Sequence, residues 1–513
     1  MAILVAGSGP AGVAAAHSLL HRGLPVIMLD VGYRLEPQRE ILVERLAASK
    51  PETWDAATLD ELRNATQASA RGLPQKLVYG SDFPYRTPAS LVKFEQHNSD
   101  LVFSHALGGL STAWGANTIP FLAQDITDWP VRLDDLTPFY RAVLSFVNLS
   151  AREDRLSTLF PLHTDKYRPL RPSRQAEALL ADLDRNRETL ARHGFEFGQS
   201  RLAVRADDCE YCGLCLYGCP YGLIYSSAQA LPGLQRHPNF EYRPGYYVER
   251  IAESPSGVTV HARRVSDGAP EQFTAERVFL GCGTISTTKI VLESLGAFDR
   301  EIIARDSQYF LTPVLRSNGA PNVHEERLHT LSQVCLVLRD AALSPRSVHM
   351  LVYTYNDLYR RALEKLCPIP PLRDVFLSRL MIIQGYLHSD DSATLAMHLE
   401  RSSPARVVLE GRANPRTRPV VRQVLRHLRA AMPGFVVPMM TNVVKPGKSY
   451  HVGASLPMRE QPGEFESDVL GRPTGLTRVH LVDASCFSSV PATNVTLTIM
   501  ANAYRIAEQA MQS

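Results

Sequence analysis

Hydrophobic positions fall first into a short unbroken run, residues 2–6 (AILVA), whose lack of alternation predicts a strand buried on both faces. The stretch PAGVAAAHSLLHRG then predicts a helix, and a second apolar run, PVIMLD, predicts another strand ending on Asp30. The same order returns in ERVFLGCGTISTTKIVLESLG, from Glu276 to Gly296, which reads as a buried strand, a glycine turn and a helix. Close to the C-terminus, TLTIMANA keeps helical spacing. RANPRTRPVVRQVLRHLRAAM, from Arg412, predicts an amphipathic helix with its arginines in solvent rather than an anionic docking face. No apolar run approaches the roughly 18 residues of a membrane span.

Between the first strand and helix stands GSGPAG, with Gly7, Ser8, Gly9, Pro10 and Gly12 in G-x-G-x-x-G register. Gly7 allows a tight turn, Gly9 lets backbone N–H groups approach a pyrophosphate, and Gly12 allows close helix–strand packing. Asp30 is placed to accept hydrogen bonds from an adenosine ribose. Strand, glycines, helix, strand and terminal acid together indicate a dinucleotide-binding unit, and LDVG after the second strand favours FAD over NAD.

Composition changes this picture little. The 513 residues carry 55 basic and 52 acidic side chains, so the charge balance indicates neither nucleic acid nor membrane as a partner. The apolar, small-residue N-terminus mimics a secretory leader but has no basic n-region and contains the glycine pattern, so it is expected to remain in a cytoplasmic protein. Eight cysteines, four of them clustered, fit a reducing compartment better than a disulfide framework.

Further segments, HALGGLSTAWGANTIPF (His105 to Phe121), the strand–turn–helix at Glu276, HVGASLPM from His451 and HLVDASCFSSVPATNVTLTIMANAYRIAEQA from His480, stand in a fixed order behind the glycine motif. In that order they resemble the glucose–methanol–choline (GMC) oxidoreductases, and the segments GGLSTAW and DWPVRLDDLTPFYRAVLSF resemble the sugar-oxidising, pyranose-oxidase-like branch. The resemblance leaves roughly residues 150–200 and 300–435 unmatched. It implies an α/β, Rossmann-like FAD-binding domain with an interleaved α+β substrate-binding domain. The expected division is 1–150, 201–299 (with a cysteine-rich loop) and 441–513 for FAD, with 151–200 and 300–440 for substrate.

Carried over residue by residue, the resemblance places Gly108, Gly109 and Ser111 along flavin and pyrophosphate, Trp114 and Asn117 near the isoalloxazine, Val248 at adenine and Asp483 at the pyrophosphate–ribityl region. It assigns the catalytic base to His451 and the partner that orients the alcohol oxygen to Asn494. Removing a hydride from carbon requires a base within reach of the hydroxyl, a role suited to histidine. Relatives often have Asn-Pro where this chain has Asn494-Val495. Ala113 stands where some relatives attach FAD through histidine, so non-covalent FAD is expected. His105, His427 and His480 have no evident partners and are read as structural.

One motif stays outside that scheme. DCEYCGLCLYGCPYG carries Cys209, Cys212, Cys215 and Cys219 in C-x2-C-x2-C-x3-C spacing before Pro220, the ferredoxin arrangement for a cubane cluster. A 3Fe–4S or 4Fe–4S cluster, a structural loop and a zinc site all remain open, the last disfavoured by the lack of a second C-x2-C knuckle. A cluster would offer flavin electrons a route to an external acceptor. The expected function is FAD-dependent oxidation of a small-molecule alcohol, a sugar, aminosugar or glycoside hydroxyl, to a carbonyl. The alternatives are a flavin/iron–sulfur electron-transfer subunit and an oxidase of an apolar, steroid-like alcohol. The polar mixture in RDSQY, NVHEERLH and LVYTYNDLYRR favours a hydrophilic ligand.

Overall fold

The computed structural model describes residues 2–63, 76–432, 434–436 and 440–512, with backbone alone at 365 and 366. The first apolar run forms strand β1 (Ile3–Ala6), fully buried, and the second forms β2 (Val26–Asp30). Between them helix α1 (Pro10–His21) begins with proline at its first position, where a missing N–H costs nothing, and stops before Gly23, whose φ is +74°.

Strands β3 (Phe240–Pro244), β4 (Val278–Leu280) and β5 (Val479–Leu481) complete a parallel sheet in the order β5-β4-β1-β2-β3. Leu4 lies beside both Val26+1, that is Ile27, and Val278, while Val479 lies beside Val278. The dinucleotide sheet is therefore assembled from the beginning, middle and end of the chain. Helix α2 (Leu133–Val143) carries the sugar-oxidase-like segment and packs on α4 (Thr496–Gln509), which also covers α1. The Tyr140 hydroxyl meets the Thr498 hydroxyl at 2.9 Å, and the Trp129 indole donates to Ser489. That segment is scaffold.

A second sheet forms the opposite wall of the molecule. Strands Tyr309–Arg316, Leu380–Tyr386, Val348–Tyr353, Val334–Leu338 and Phe195–Gln199 run antiparallel in that order. Strand geometry sends alternate side chains to opposite faces. Phe310, Val314, Met350, Val352, Met381 and Ile383 pack against helices Arg174–Arg185 and Thr417–Ala431 through Leu179, Leu183, Val424 and Leu428. Truncating a fully buried member such as Leu336 to alanine removes about 2–5 kcal/mol. The arginines of Thr417–Ala431 point outward as its pattern predicts, with Arg418, Arg422 and Arg426 exposed.

The remaining sheet that bears on the site runs Val452–Gly453, Ile302–Asp306, Thr394–Glu400, Arg406–Arg412 and Lys93–His97. Its short first strand begins immediately after His451.

Candidate active site

One cavity of about 680 Å³ runs from the glycine turn to the antiparallel sheet. At its dinucleotide end the three glycines do different things. A Cβ on Gly7, which has φ +96°, would fall 2.5 Å from the Gly281 carbonyl oxygen, and one on Gly12 would fall 1.9 Å from that of Gly7. Those two positions hold the strand, turn and helix together. A Cβ on Gly9 would meet no heavy atom within 4 Å, so the backbone there faces open space. That gap at the N-terminus of α1, where N–H groups have no helical partner, suits a pyrophosphate.

Asp30 ends β2 in a buried setting and accepts from the hydroxyls of Ser8 and of Tyr242, the latter at 3.1 Å. Burial pushes its carboxyl up to about 6 despite these donors. Gly108, with φ +83°, donates its N–H to Ser8 Oγ at 2.9 Å, and Ser111 Oγ donates to the Gly108 carbonyl at 2.6 Å. Asp483 is buried under donors from Gly283 N at 2.8 Å, Thr287 Oγ1 at 2.5 Å and Ser485 N at 2.9 Å. It ties helix α3 (Thr284–Ser294) to the C-terminal segment. These residues fit a dinucleotide such as FAD. Gly7, Ser8, Gly9, Pro10, Asp30, Gly109, Ser111, Trp114, Asn117, Val248 and Asp483 line the cavity, whereas Gly12 and Gly108 shape it from behind.

His451 and Asn494 line the same cavity from different segments. His451 follows a loop pinned by Asp306, which accepts from Gly447 N at 2.7 Å and from the Ser449 hydroxyl. Ser449 Oγ in turn accepts the His451 N–H at 2.9 Å, and the His451 carbonyl accepts Ser307 N–H at 3.0 Å. The imidazole stacks on Tyr386, with ring centroids 4.7 Å apart. Burial pushes it down to about 4, below the near-neutral value its chemistry suggested, so it is uncharged at neutral pH. Its Nδ1 and the Asn494 Oδ1 are buried without a hydrogen-bond partner. Burying such atoms costs about 1–3 kcal/mol each unless something meets them, which is what a ligand's hydroxyl would do.

The far wall comes from the outward face of the antiparallel sheet. Leu311 and Pro313, Leu351 and Tyr353, and Ile382, Gln384 and Tyr386 are spaced by two along their strands. They also align across them, Leu311 and Leu351 both opposite Gln384. Tyr359, Tyr450, Tyr85 and Lys76 complete this end. Sequence reading named none of these residues as site residues: those from Leu311 to Tyr386 lie in an unmatched stretch, and Lys76, Tyr85 and Tyr450 lie outside the motifs that carried the resemblance. The polar mixture taken as a sign of a hydrophilic ligand resolves differently: from LVYTYNDLYRR it is Leu351, Tyr353, Leu358 and Tyr359 that reach the cavity. Asp306, too, carried no sequence signal.

The cysteine run corrects an expectation. Among the described residues, which include Cys209, Cys212, Cys215 and Cys219, no group of three or more His, Cys, Asp or Glu side chains could hold a metal ion. The four are free thiols tied into a loop: Cys215 Sγ accepts Thr330 N–H at 3.4 Å, Cys219 Sγ accepts Leu223 N–H at 3.5 Å, and Tyr79 donates to the Cys219 carbonyl at 2.7 Å. Burial pushes the free thiols of Cys209 up to about 11 and of Cys212 up to about 12. The iron–sulfur expectation is unsupported. The loop instead presents Leu216 to the cavity.

Fold and cavity together define an α/β protein in which a dinucleotide cradle opens onto a cavity closed by an antiparallel sheet. No protein-family model matches the chain. Over its full length it is similar to 6'''-hydroxyparomomycin C oxidase of Streptomyces lividus (22% identity, 98% of this chain and 90% of that one). It is similarly related to paromamine 6'-oxidase of Streptomyces fradiae (23% identity, 99% and 90%). Its fold is that of pyridoxine 4-oxidase from Mesorbium loti, with a TM-score of 0.62 at 14% identity, covering 100% of this chain and 99% of that one. No helix among the described residues is long and apolar enough to cross a membrane.

Proposed function

We propose that the protein oxidises an alcohol hydroxyl on a sugar, aminosugar or glycoside to a carbonyl, with His451 as base and Asn494 holding the alcohol oxygen. The observation that carries this reading is the pair of buried, unpartnered atoms, His451 Nδ1 and Asn494 Oδ1, on one cavity that begins at a dinucleotide cradle. Bound FAD would supply the acceptor for the hydride that leaves carbon. An uncharged imidazole can take the hydroxyl proton, and the Asn494 Nδ2 amide group can donate to the oxygen as charge develops on it. Asp306, through Ser449, fixes where that imidazole sits.

The oxidases similar to this chain are named for aminoglycoside and pyridoxine hydroxyls, which supports a small ring-bearing alcohol. Ala113 lines the cavity and offers no nucleophile, which supports FAD held without a covalent bond. The protein is read as a cytoplasmic enzyme, and its external electron acceptor is left to experiment. A second reading, an apolar alcohol, is favoured by Leu311, Pro313, Leu351 and Ile382 on the far wall. The test is an anaerobic panel of sugars, glycosides and apolar alcohols monitored by bleaching of the flavin. Bleaching by a sugar or glycoside but not by sterols supports the proposal, bleaching by apolar alcohols alone refutes it in favour of the second reading, and no bleaching by any member refutes it in favour of an electron-transfer role.

A further inference from the structure

The cavity's charge inventory narrows the substrate class, and this narrowing rests on the oxidase reading above. Among the described residues lining the cavity, Asp30 and Asp483 are the only carboxylates. Both belong to the dinucleotide end and both are already occupied: Asp30 by Ser8 and Tyr242, Asp483 by Gly283, Thr287 and Ser485. Asp306 lies behind the His451 loop, engaged by Gly447 and Ser449, and does not line the cavity. The residues outside the described set cannot supply a missing acid, since NATQASARGLPQ (64–75), Pro433 and VPM (437–439) contain no aspartate or glutamate.

Among the described residues, the one lysine or arginine on the wall is Lys76. Its Nζ donates to the Trp114 carbonyl at 3.1 Å, and its own carbonyl accepts the Tyr85 hydroxyl at 2.7 Å. Burial pushes the ammonium down to about 8, so it keeps its charge at neutral pH. Tyr85, Tyr353, Tyr359, Tyr386 and Tyr450 line the same cavity and bring aromatic rings to it. The faces of such rings attract cations. A buried lysine in the same wall opposes that attraction, because like charges interact strongly where water is excluded.

We infer that this site selects a ring alcohol bearing no ammonium group, uncharged or anionic, and that Lys76 is the residue that rejects cations. This separates the chain from relatives named for aminoglycoside oxidation, whose substrates carry several amines. A polyamine entering here would leave its ammonium groups buried without counter-charge, a cost far larger than one lost hydrogen bond.

The test uses matched pairs that differ in charge: N-acetylglucosamine against glucosamine, per-N-acetylated paromamine against paromamine, and 3,3-dimethylbutan-1-ol against choline. Binding to the anaerobic holoenzyme is followed by calorimetry, and flavin bleaching is recorded separately. The neutral member of a pair is expected to bind at least about tenfold more tightly, a difference of about 1.4 kcal/mol. Lys76→Met is expected to shrink that ratio below about threefold, and Lys76→Glu to reverse it, with flavin content and melting temperature confirming that each variant folds. Equal or tighter binding of the ammonium members to wild type overturns the inference, as does failure of every neutral member to bind. Neutral ligands that bind without bleaching the flavin leave the inference standing and refute the oxidase reading.

Discussion

Alanine at Gly9 and alanine at Gly12 should fail in different ways, although both break the same motif. At Gly12 the added Cβ lands 1.9 Å from the Gly7 carbonyl oxygen, against about 3.4 Å for an ordinary contact, so helix and turn must separate. Overpacking of this kind costs about 1–3 kcal/mol, and it displaces the turn that forms the cradle. At Gly9 φ is −67° with extended ψ, open to any residue, and the Cβ meets nothing within 4 Å. The flavin-free protein should therefore be unchanged or gain up to about 1 kcal/mol from a stiffer unfolded chain. The space that Cβ fills is the space proposed for pyrophosphate, so flavin affinity should fall by about tenfold or more, 1.4 kcal/mol. Urea unfolding of flavin-stripped protein and flavin retention after gel filtration measure the two effects separately. Gly9→Ala with wild-type flavin affinity, or with a destabilised flavin-free fold, refutes the assignment of that gap.

The remaining predictions concern the rest of the site. His451→Ala should lower turnover by about 10²–10⁴-fold, the usual worth of a general base, while flavin content stays normal; unchanged turnover in steady-state assays would sink the role. Because burial lowers the His451 pKa, the imidazole stays in its basic form as pH falls from 6.5 toward about 4, so kcat/KM should show no acid limb near 6.5. Stability should follow a related rule. His17, His105, His329 and His480, also lowered to about 4, favour the fold above pH 6.5, and that contribution is lost as pH falls toward 4. Asp30 and Asp306, raised to about 6 and 7, act in the opposite sense, so urea midpoints measured across this window should show a net loss on acidification. Acid precipitation should release all the flavin into the supernatant, Ala113 having no atom to retain it; yellow pellets would show an attachment elsewhere. Cys219→Ser should keep flavin and activity within about threefold, and iron and sulfide analysis of the wild type should find neither in stoichiometric amount.

The dinucleotide end could be read from sequence because its demands are local. A turn that admits no Cβ at Gly7 or Gly12 forces glycine at fixed spacing, and Asp30 follows at the end of the next strand. The opposite wall was not legible. Leu351 and Tyr353 alternate with Met350 and Val352 in a strand that is buried almost throughout, so the period of two that separates cavity from core leaves no polar trace. Lys76 and Asp306 matter through what they face, the Trp114 carbonyl 38 residues on for one and the Gly447 and Ser449 loop, 141 and 143 residues on, for the other. The cysteine spacing found no support for a different reason: a ligand pattern fixes intervals along the chain, whereas a cluster needs sulfurs converging on a point. Here the Cys215 and Cys219 sulfurs accept backbone N–H groups, and among the described residues no group of His, Cys, Asp or Glu is placed to hold a metal ion.

The parallel sheet that joins both ends of the chain has a consequence for the order of assembly. During synthesis β1, α1 and β2 emerge first, yet β5, the Asp483 anchor and the α4 cover for α1 emerge last. A nascent chain thus carries its glycine turn for most of translation without the strand and helix that close it. Contacts of such long sequence separation are slow to form. Flavin capture becomes a late event, completed when the C-terminal segment docks, and the half-made cradle is the species most exposed to aggregation in the meantime.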